Sequence, residues 1–429
     1  MENNLARRVF NSVDVNKARS GLVAALDLGT TKACCLIAKI KTSGGYEILG
    51  IGHQISHGIR SGTIVDLEHV ESTIRSTVEA AEQMARENIH SIIVNVSCGE
   101  PRSRLIAYEV SIVGHEIGDR DLRLLLDPSG LPENEDPERE LLHLIPVGYS
   151  VDGNRGVRDP RGLQGQRLGV NMHIISAGSA SVRNLEQGIS RSHLDVFGKV
   201  ITPYASALSC VYEDEANLGV TCIDMGGGTT SISVFFDGEL VHIDSLPVGG
   251  AHVTNDIARG LSTPIVQAER MKTLYGSAIP IPSDNNEIIR VPMIGDEELE
   301  ETNQVPRSVL IGIIRPRIEE TLELVRDRLV EAGFDKVAGR RIVLTGGASQ
   351  LPGVRELATT VFNKEVRLGK PHKVRGLAES VSGPAFSAAV GLLNFAYKNT
   401  VDETQNAYKP VDEPAGRLAR FGQWLKENF

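Results

Sequence analysis

Two stretches of this chain, about 200 residues apart, spell the same local structure. VAALDLGTTKACCLIAKI and GVTCIDMGGGTTSISVFFDG each read as an apolar strand, an Asp, a Gly/Thr turn and a second apolar strand. One such hairpin fits many folds. Two of them, this far apart, predict two related domains that face each other. A chain of 429 residues, 41% of them hydrophobic, can bury a core in each domain. Aromatic residues at 4% and 43 glycines suit an α/β protein better than a β-sandwich.

The turns carry the chemistry. In Asp27-Leu28-Gly29-Thr30-Thr31-Lys32, Gly29 permits a tight turn. The exposed amides and the Thr30 and Thr31 hydroxyls can then cradle phosphate oxygens, and Lys32 adds a positive charge. Taken singly it is equally an ordinary hairpin turn. The second copy, Asp224-Met225-Gly226-Gly227-Gly228-Thr229-Thr230, again sets an Asp directly before its turn. Two carboxylates facing one cleft, Asp27 and Asp224, can hold a hydrated Mg²⁺ that neutralises phosphate charge. No GxxxxGK[ST] run occurs, so this is not a Walker-type loop. A third element, Thr345-Gly346-Gly347-Ala348 after an apolar strand, would let a flat ring or a ribose approach the backbone. By itself it is a strand–turn–helix connection. The order of the three elements predicts an ATP site.

The rest of the chain narrows the choices. A net charge of −10 argues against nucleic-acid binding. Cys34, Cys35, Cys98, Cys210 and Cys222 form no CxxC pair and sit in apolar runs, which fits buried thiols in a reducing compartment. No run reaches the roughly 20 apolar residues needed to cross a bilayer, and the first twenty residues lack the apolar core of a secretory signal. They read as a disordered lead-in, and the protein as one that stays in the cytoplasm. Helical periodicity covers 66–87 and 317–332, with a helix at 387–397 and a buried strand at 91–96. Residues 98–175 mix short strands, an acidic helical piece and Gly/Pro turns, the texture of an inserted subdomain. Residues 399–413 are polar and acidic, and read as a flexible linker.

Residues 414–429 differ from everything before them. Asp412, Glu413 and Pro414 suit a helix start. On a helical wheel Leu418, Phe421, Leu425 and Phe429 share one face, with Trp424 beside it. Arg417, Arg420 and Lys426 flank that face, where they can snorkel toward anionic headgroups. The pattern predicts a helix lying in a membrane interface. A terminal helix docked on the protein's own core is the alternative.

The three glycine-rich elements resemble the two phosphate motifs and the adenosine motif of the actin, sugar-kinase and heat-shock-chaperone superfamily. That resemblance implies an α/β fold of two domains around a cleft, with Asp27 and Asp224 near the metal and Glu269 and Lys272 clasping the adenosine. From Gly21 to Tyr397 the chain is similar to the FtsA family of actin-like bacterial cell-division proteins. The specific residues are Leu144-Ile145-Pro146, Tyr149-Ser150-Val151-Asp152-Gly153 and Asp159-Pro160-Arg161-Gly162-Leu163-Gln164-Gly165. Further matches are Gly249-Gly250, Thr254-Asn255-Asp256-Ile257-Ala258 and Pro316-Arg317.

The family implies subdomain 1A at 21–97 and 178–219, an FtsA-type subdomain 1C for self-association at 98–177, and subdomain 2A at 220–271 and 338–398. Subdomain 2B, 272–337, would receive the C-terminal peptide of FtsZ, with Arg315 and Arg317 ahead of a helix as basic contacts. A solvated helix start explains those arginines equally well. The resemblance further implies a filament-forming, ATP-binding protein that ties the FtsZ ring to the cytoplasmic face of the inner membrane and helps recruit later division proteins. Thr202 stands where chaperones carry a water-orienting carboxylate, and a hydroxyl is a poor general base, so hydrolysis is expected to be slow or absent. A sugar-kinase-type phosphotransferase and an actin-like scaffold for another membrane machine are the competing readings.

Overall fold

The computed structural model describes residues 21–41, 44–127, 136–294 and 302–408. The lead-in at 1–20 and the stretch 414–429, expected to form a membrane-binding helix, lie outside the described residues.

The first hairpin forms as expected. β1 (Leu22–Leu28) and β2 (Lys32–Ile40) pair antiparallel, from Leu22 opposite Lys39 to Leu28 opposite Ala33. β3 (Tyr46–Ile55) extends this meander. A two-residue hairpin of β4 (Ile59–Arg60) and β5 (Thr63–Ile64) then leads into α1 (Leu67–Ala85). Asp66 caps that helix, its side chain accepting the N–H groups of Glu68 and His69 at 3.0 and 3.1 Å. Val70, Ile74, Val78 and Ala81 face inward from it. β6 (Ser91–Val96) adds parallel to β1, and β11 (Asp195–Ile201) adds parallel to β6. The sheet order is β11-β6-β1-β2-β3.

The second lobe repeats this topology element for element. β12 (Val220–Met225), β13 (Thr230–Phe236) and β14 (Glu239–Leu246) form the meander. β17 (Arg341–Thr345) and β18 (Glu365–Leu368) add in parallel, giving the order β14-β13-β12-β17-β18. Each sheet is thus a three-stranded meander continued by two parallel strands. The internal echo in the sequence is a duplicated fold.

Between the parallel strands of the first lobe sits a separate domain. β7 (Arg102–Ser111), β8 (Arg139–Val151), β9 (Asn154–Val157) and β10 (Arg167–Gly178) form an antiparallel sheet in the order β7-β10-β8-β9. With α2 (Asp119–Leu125) it encloses a core of its own, including Ile117, Leu125, Leu168 and Met172. Helix α3 (Ser179–Arg191) returns the chain to β11. α4 (Thr202–Cys210) then runs between the lobes with nearly every side chain buried, and α5 (Glu213–Leu218) leads into β12. One apolar cluster spans both sheets at this point, from Leu26 and Val94 to Cys222 and Val343.

The second lobe carries its own additions. α6 (Gly250–Gly260) and α7 (Ile265–Tyr275) follow the meander, then the hairpin of β15 (Ile288–Pro292) and β16 (Thr302–Pro306), then α8 (Arg307–Glu331). The helix expected to begin at Arg317 therefore begins ten positions earlier, and Pro316 lies inside it. A helix-interior Pro removes a hydrogen bond and normally ends or kinks the helix. Here Leu310, Ile314, Ile318, Leu322, Val325 and Leu329 form an unbroken buried stripe across it, and that packing outweighs the local cost. Arg315 and Arg317 are consequently mid-helix residues, not residues at a helix start.

α9 (Val354–Phe362) packs against α8 and β18, and α10 (Ser387–Tyr408) closes the first lobe. Ala389, Val390, Leu392, Leu393 and Ala396 of α10 are buried against that lobe. The helix continues through 399–408, the first part of the stretch expected to be a flexible linker.

Candidate functional site

The duplicated hairpins place their turns against each other. In each, the Gly two residues after the Asp donates its N–H to a carbonyl three residues on: Gly29 to Lys32 and Gly226 to Thr229, both at 2.9 Å. The turns touch across the cleft. A Cβ on Gly227 would stand 2.6 Å from the Thr31 side chain, and one on Gly228 would stand 2.9 Å from the Ser61 Cα and overlap the Thr30 hydroxyl. Gly227 and Gly228 are therefore required by close approach of the opposite lobe, whereas a Cβ on Gly226 would meet only Thr229 of its own turn. Gly62, in the β4–β5 turn, donates its N–H to Thr30 Oγ1 at 3.1 Å and braces the first turn.

The second turn is held from behind by a helix start. The N–H groups of Gly250 and Ala251 donate to the carbonyls of Gly226 and Gly227 at 2.9 and 2.7 Å. Free N–H groups of the first turn of α6 thus find their acceptors in the loop they support.

Both carboxylates are enclosed. Asp27, at the end of β1, is buried, and burial pushes its carboxyl up to about 6; Lys32 counters this and the Asp224 charge adds to it. Asp224 is likewise raised by burial, against hydrogen bonding from Ser206 and the Lys32 charge. Ser206 Oγ donates to Asp224 Oδ2. Burial pulls the Lys32 ammonium down, opposed by Asp27, Cys34 and Asp224. Lys32 thus feels both carboxylates, Asp27 feels Lys32 and Asp224, and Asp224 feels Lys32. Lys32 is not free, however: it donates to the Ala385 carbonyl and lies over the Phe386 ring.

Asn95 and Thr202 stand beside this group. Asn95 Oδ1 accepts the Leu28 N–H at 2.7 Å, and its Nδ2 donates to Thr202 Oγ1 at 3.2 Å. Thr202 is buried at the start of α4, one helical turn before Ser206.

The third glycine-rich element meets Asp224 directly. Gly346 has φ +86°, and a Cβ on it would overlap Asp224 Oδ1. Its N–H donates to the Pro384 carbonyl at 3.1 Å. Ala348 lies against Gly250, where an added Cβ would be 3.1 Å from the Ala348 Cβ and 3.7 Å from Lys272 Nζ. Lys272 Nζ in turn bonds Glu269 Oε2 at 2.7 Å, Thr254 Oγ1 at 2.8 Å and the Gly250 carbonyl at 3.1 Å. Glu269 and Lys272 are therefore tied to the cleft through Gly250 and Thr254.

The fold thus gathers the residues read as binding ATP and metal, from Asp27 through Lys32, Asp224 through Thr229, Glu269 and Lys272, to Gly346, Gly347 and Ala348. Arg315 and Arg317 belong to α8 instead. Arg317 is engaged there by Asp256 and Glu320, each at 2.5 Å, while Arg315 reaches Glu319 at a looser 3.5 Å. The sequence reading missed Ser206, Asn95, Thr254 and the Pro384–Phe386 segment. Of these Ser206 had a signal in its place four residues after Thr202, and Thr254 in its place in the family-like run Thr254-Asn255-Asp256-Ile257-Ala258.

Two duplicated lobes meeting at paired hairpin turns, with an enclosed Asp at each, define the actin-like ATPase fold. The structure is similar to that of a PilM-PilN type IV pilus biogenesis complex, with a TM-score of 0.61 and 16% identity, over 88% of this chain and 98% of that one. It is also similar to MreB 5 of Spiroplasma citri bound to AMPPNP, with a TM-score of 0.54 and 13% identity, over 91% and 99%. At these identities the likeness carries the fold alone.

The family follows from sequence. The model of the cell division protein FtsA matches residues 221–391, and that of the SHS2 domain inserted in FtsA matches 98–176, the inserted sheet. The chain is 46% identical over 425 residues to cell division protein FtsA of Rhizobium meliloti (strain 1021), covering 96% of each. It is 34% identical to that of Pseudomonas aeruginosa, and 31% to that of Escherichia coli (strain K12), in each case over 95% of this chain and 98% of the relative. The chain belongs to the FtsA family, and its role is in cell division. No helix among the described residues is long and apolar enough to cross a membrane.

Proposed function

We propose that the chain binds ATP with Mg²⁺ in the cleft, assembles into filaments, and ties FtsZ polymers to the cytoplasmic face of the inner membrane at the division site. One observation supports the nucleotide half: Asp27, Asp224 and Lys32 are buried within electrostatic reach of one another, beside two glycine turns that touch across the lobes. Two carboxylates held there against burial are a fitting donor set for a hydrated dication. Mg²⁺ would supply the positive charge that lets phosphates lie beside them. The amides and the Thr30, Thr31 and Thr229 hydroxyls bind phosphate oxygens. Gly346, Gly347 and Ala348 leave room for the nucleoside, with Glu269 and Lys272 at its edge.

Hydrolysis is slow in this reading. Thr202 already accepts a bond from Asn95, and a hydroxyl takes up protons poorly near neutral pH.

The membrane half rests on sequence: Leu418, Phe421, Trp424, Leu425 and Phe429 on one helical face, with Arg417, Arg420 and Lys426 around it. A single short helix binds weakly, so filament formation through the inserted domain adds the avidity that firm attachment needs. For the FtsZ peptide, Arg315 is the better placed of the two arginines. An acidic peptide has only the long Glu319 pair to displace there, whereas Arg317 is held from two sides.

The test is co-sedimentation with anionic liposomes, ATP and FtsZ, comparing the full chain with one ending at Val411. The full chain is expected to carry FtsZ down and the shortened chain to leave it behind. If the protein pellets alone, the FtsZ assignment falls. If neither chain pellets, the membrane assignment falls.

A further inference from the structure

The inserted domain is fastened to both lobes through buried imidazoles. On β8, His143 Nε2 accepts the N–H of Ile201, the last residue of β11, at 3.0 Å. Its ring packs edge-on against Tyr204 of α4 and Phe395 of α10, with centroids 5.8 and 5.9 Å away. This anchors the domain at the start of α4, the helix whose Ser206 holds Asp224.

His173 on β10 reaches the opposite lobe. Its Nδ1 lies 2.8 Å from the Leu240 carbonyl of β14. A carbonyl only accepts, so Nδ1 carries the proton and Nε2 is left as an acceptor. Nε2 takes the hydroxyl proton of Ser103, 2.6 Å away on β7. Ser103 Oγ accepts the Ile243 N–H of β14 at 3.2 Å. The bonds form one directed chain from Ile243 through Ser103 and His173 to Leu240. Burial pushes His173 down to about 4 and His143 to about 3, so both rings are neutral around pH 7.

The setting makes this chain more than packing. β14 and β7 are the outer strands of their sheets, and outer strands expose unpaired N–H and C=O groups. The two strands do not form a ladder with each other. Instead two side chains of the inserted domain take a C=O and an N–H of β14. Leu240 pairs with Phe235 on β13, the strand that begins at the second glycine turn. A displacement of that turn is therefore carried along one strand to the bond chain. The other attachment, at His143, stays with the first lobe.

We propose that Ser103 and His173 form a clamp through which the separation of the lobes at the cleft sets the position of the inserted domain. The proposal goes beyond nucleotide binding and is independent of it, because the lobes can be wedged apart without a ligand. A methyl at Gly228 would meet the Ser61 Cα at 2.9 Å and the Thr30 Cβ at 2.8 Å, so the turns must shift. Gly227→Ala is a second wedge, against the Thr31 side chain.

Hydrogen exchange of the full chain, with no nucleotide added, reads the effect. Ser103→Ala should speed exchange of the Ile243 amide by about tenfold and leave β12 unchanged. Gly228→Ala should change exchange across Arg102–Ser111 by at least about threefold, and this response should fall below about 1.5-fold once Ser103 is Ala. Ser103→Thr, which restores a hydroxyl, should restore the response. Gly227→Ala replaces the first wedge if Gly228→Ala does not give a folded protein by circular dichroism. A wedge response of equal size with and without the hydroxyl overturns the proposal, as does a folded wedge variant with no response in β7.

Discussion

The Lys32 ammonium lies 3.4 Å from the centre of the Phe386 ring, so a cation carried by the first hairpin is held by the segment that opens α10. An enclosed cation over an aromatic face is worth about 0.5–2 kcal/mol. A double-mutant cycle of Lys32→Met and Phe386→Leu, followed by urea denaturation, should return a coupling energy of about that size. A coupling near zero would show that the contact contributes nothing to the fold.

Asp27 makes stability depend on pH in the direction opposite to a salt-bridged carboxylate. Its folded-state value, about 6, lies above the ordinary 3.8, so the folded protein holds the proton more tightly than the unfolded chain does. The stabilisation from that proton is complete below about pH 4 and is lost as pH rises through about 6. At pH 7.5 the charged, buried carboxylate costs about 3 kcal/mol. Asp27→Asn should therefore raise the unfolding free energy of the ligand-free protein at pH 7.5 and have little effect at pH 4. Denaturation at the two pH values measures this, and an equal effect at both would refute the assignment.

Gly346 occupies backbone that other residues rarely adopt, at φ +86° and ψ 166°. Strain of this kind costs about 1–3 kcal/mol, and a methyl there also overlaps the Asp224 carboxylate. Gly346→Ala should lower stability by at least about 2 kcal/mol and weaken binding of a fluorescent ATP analogue. Unchanged stability would mean that the turn can relax.

Phosphate release from ATP by the purified chain should run well below the roughly 1–100 per second of kinases. The reason is Thr202, a hydroxyl already bonded by Asn95 where a carboxylate would activate water. Turnover at kinase rates would require a general base other than Thr202.

The hairpins were legible because Asp, Gly and Thr turns bounded by apolar strands are local features, and because they occur twice. The cleft was legible for the same reason: Asp27, Asp224 and Gly346 each end a buried strand. What escaped the sequence was set by tertiary packing. Pro316 reads as a boundary, but a buried stripe on either side of it keeps α8 whole. Arg315 and Arg317 were consequently assigned to a helix start that does not exist. Residues 400–408 look like linker by composition, yet they continue a helix whose preceding turns are buried. Phe386 gave no local sign, since it is recruited by a charged group from another element.

α10 begins where both lobes take hold of the chain. Lys32 grips Ala385 from one side, and from the other Gly346 bonds Pro384 and Thr345 lies 2.6 Å from the Ser387 hydroxyl. From that junction the helix runs 22 residues, about 33 Å at 1.5 Å per residue. A leash of that length would let Tyr408 sweep a sphere about the junction; the helix fixes it at one place relative to both lobes. Copies aligned side by side would then hold their Tyr408 positions in register, at a higher local concentration than loose chains of the same length provide.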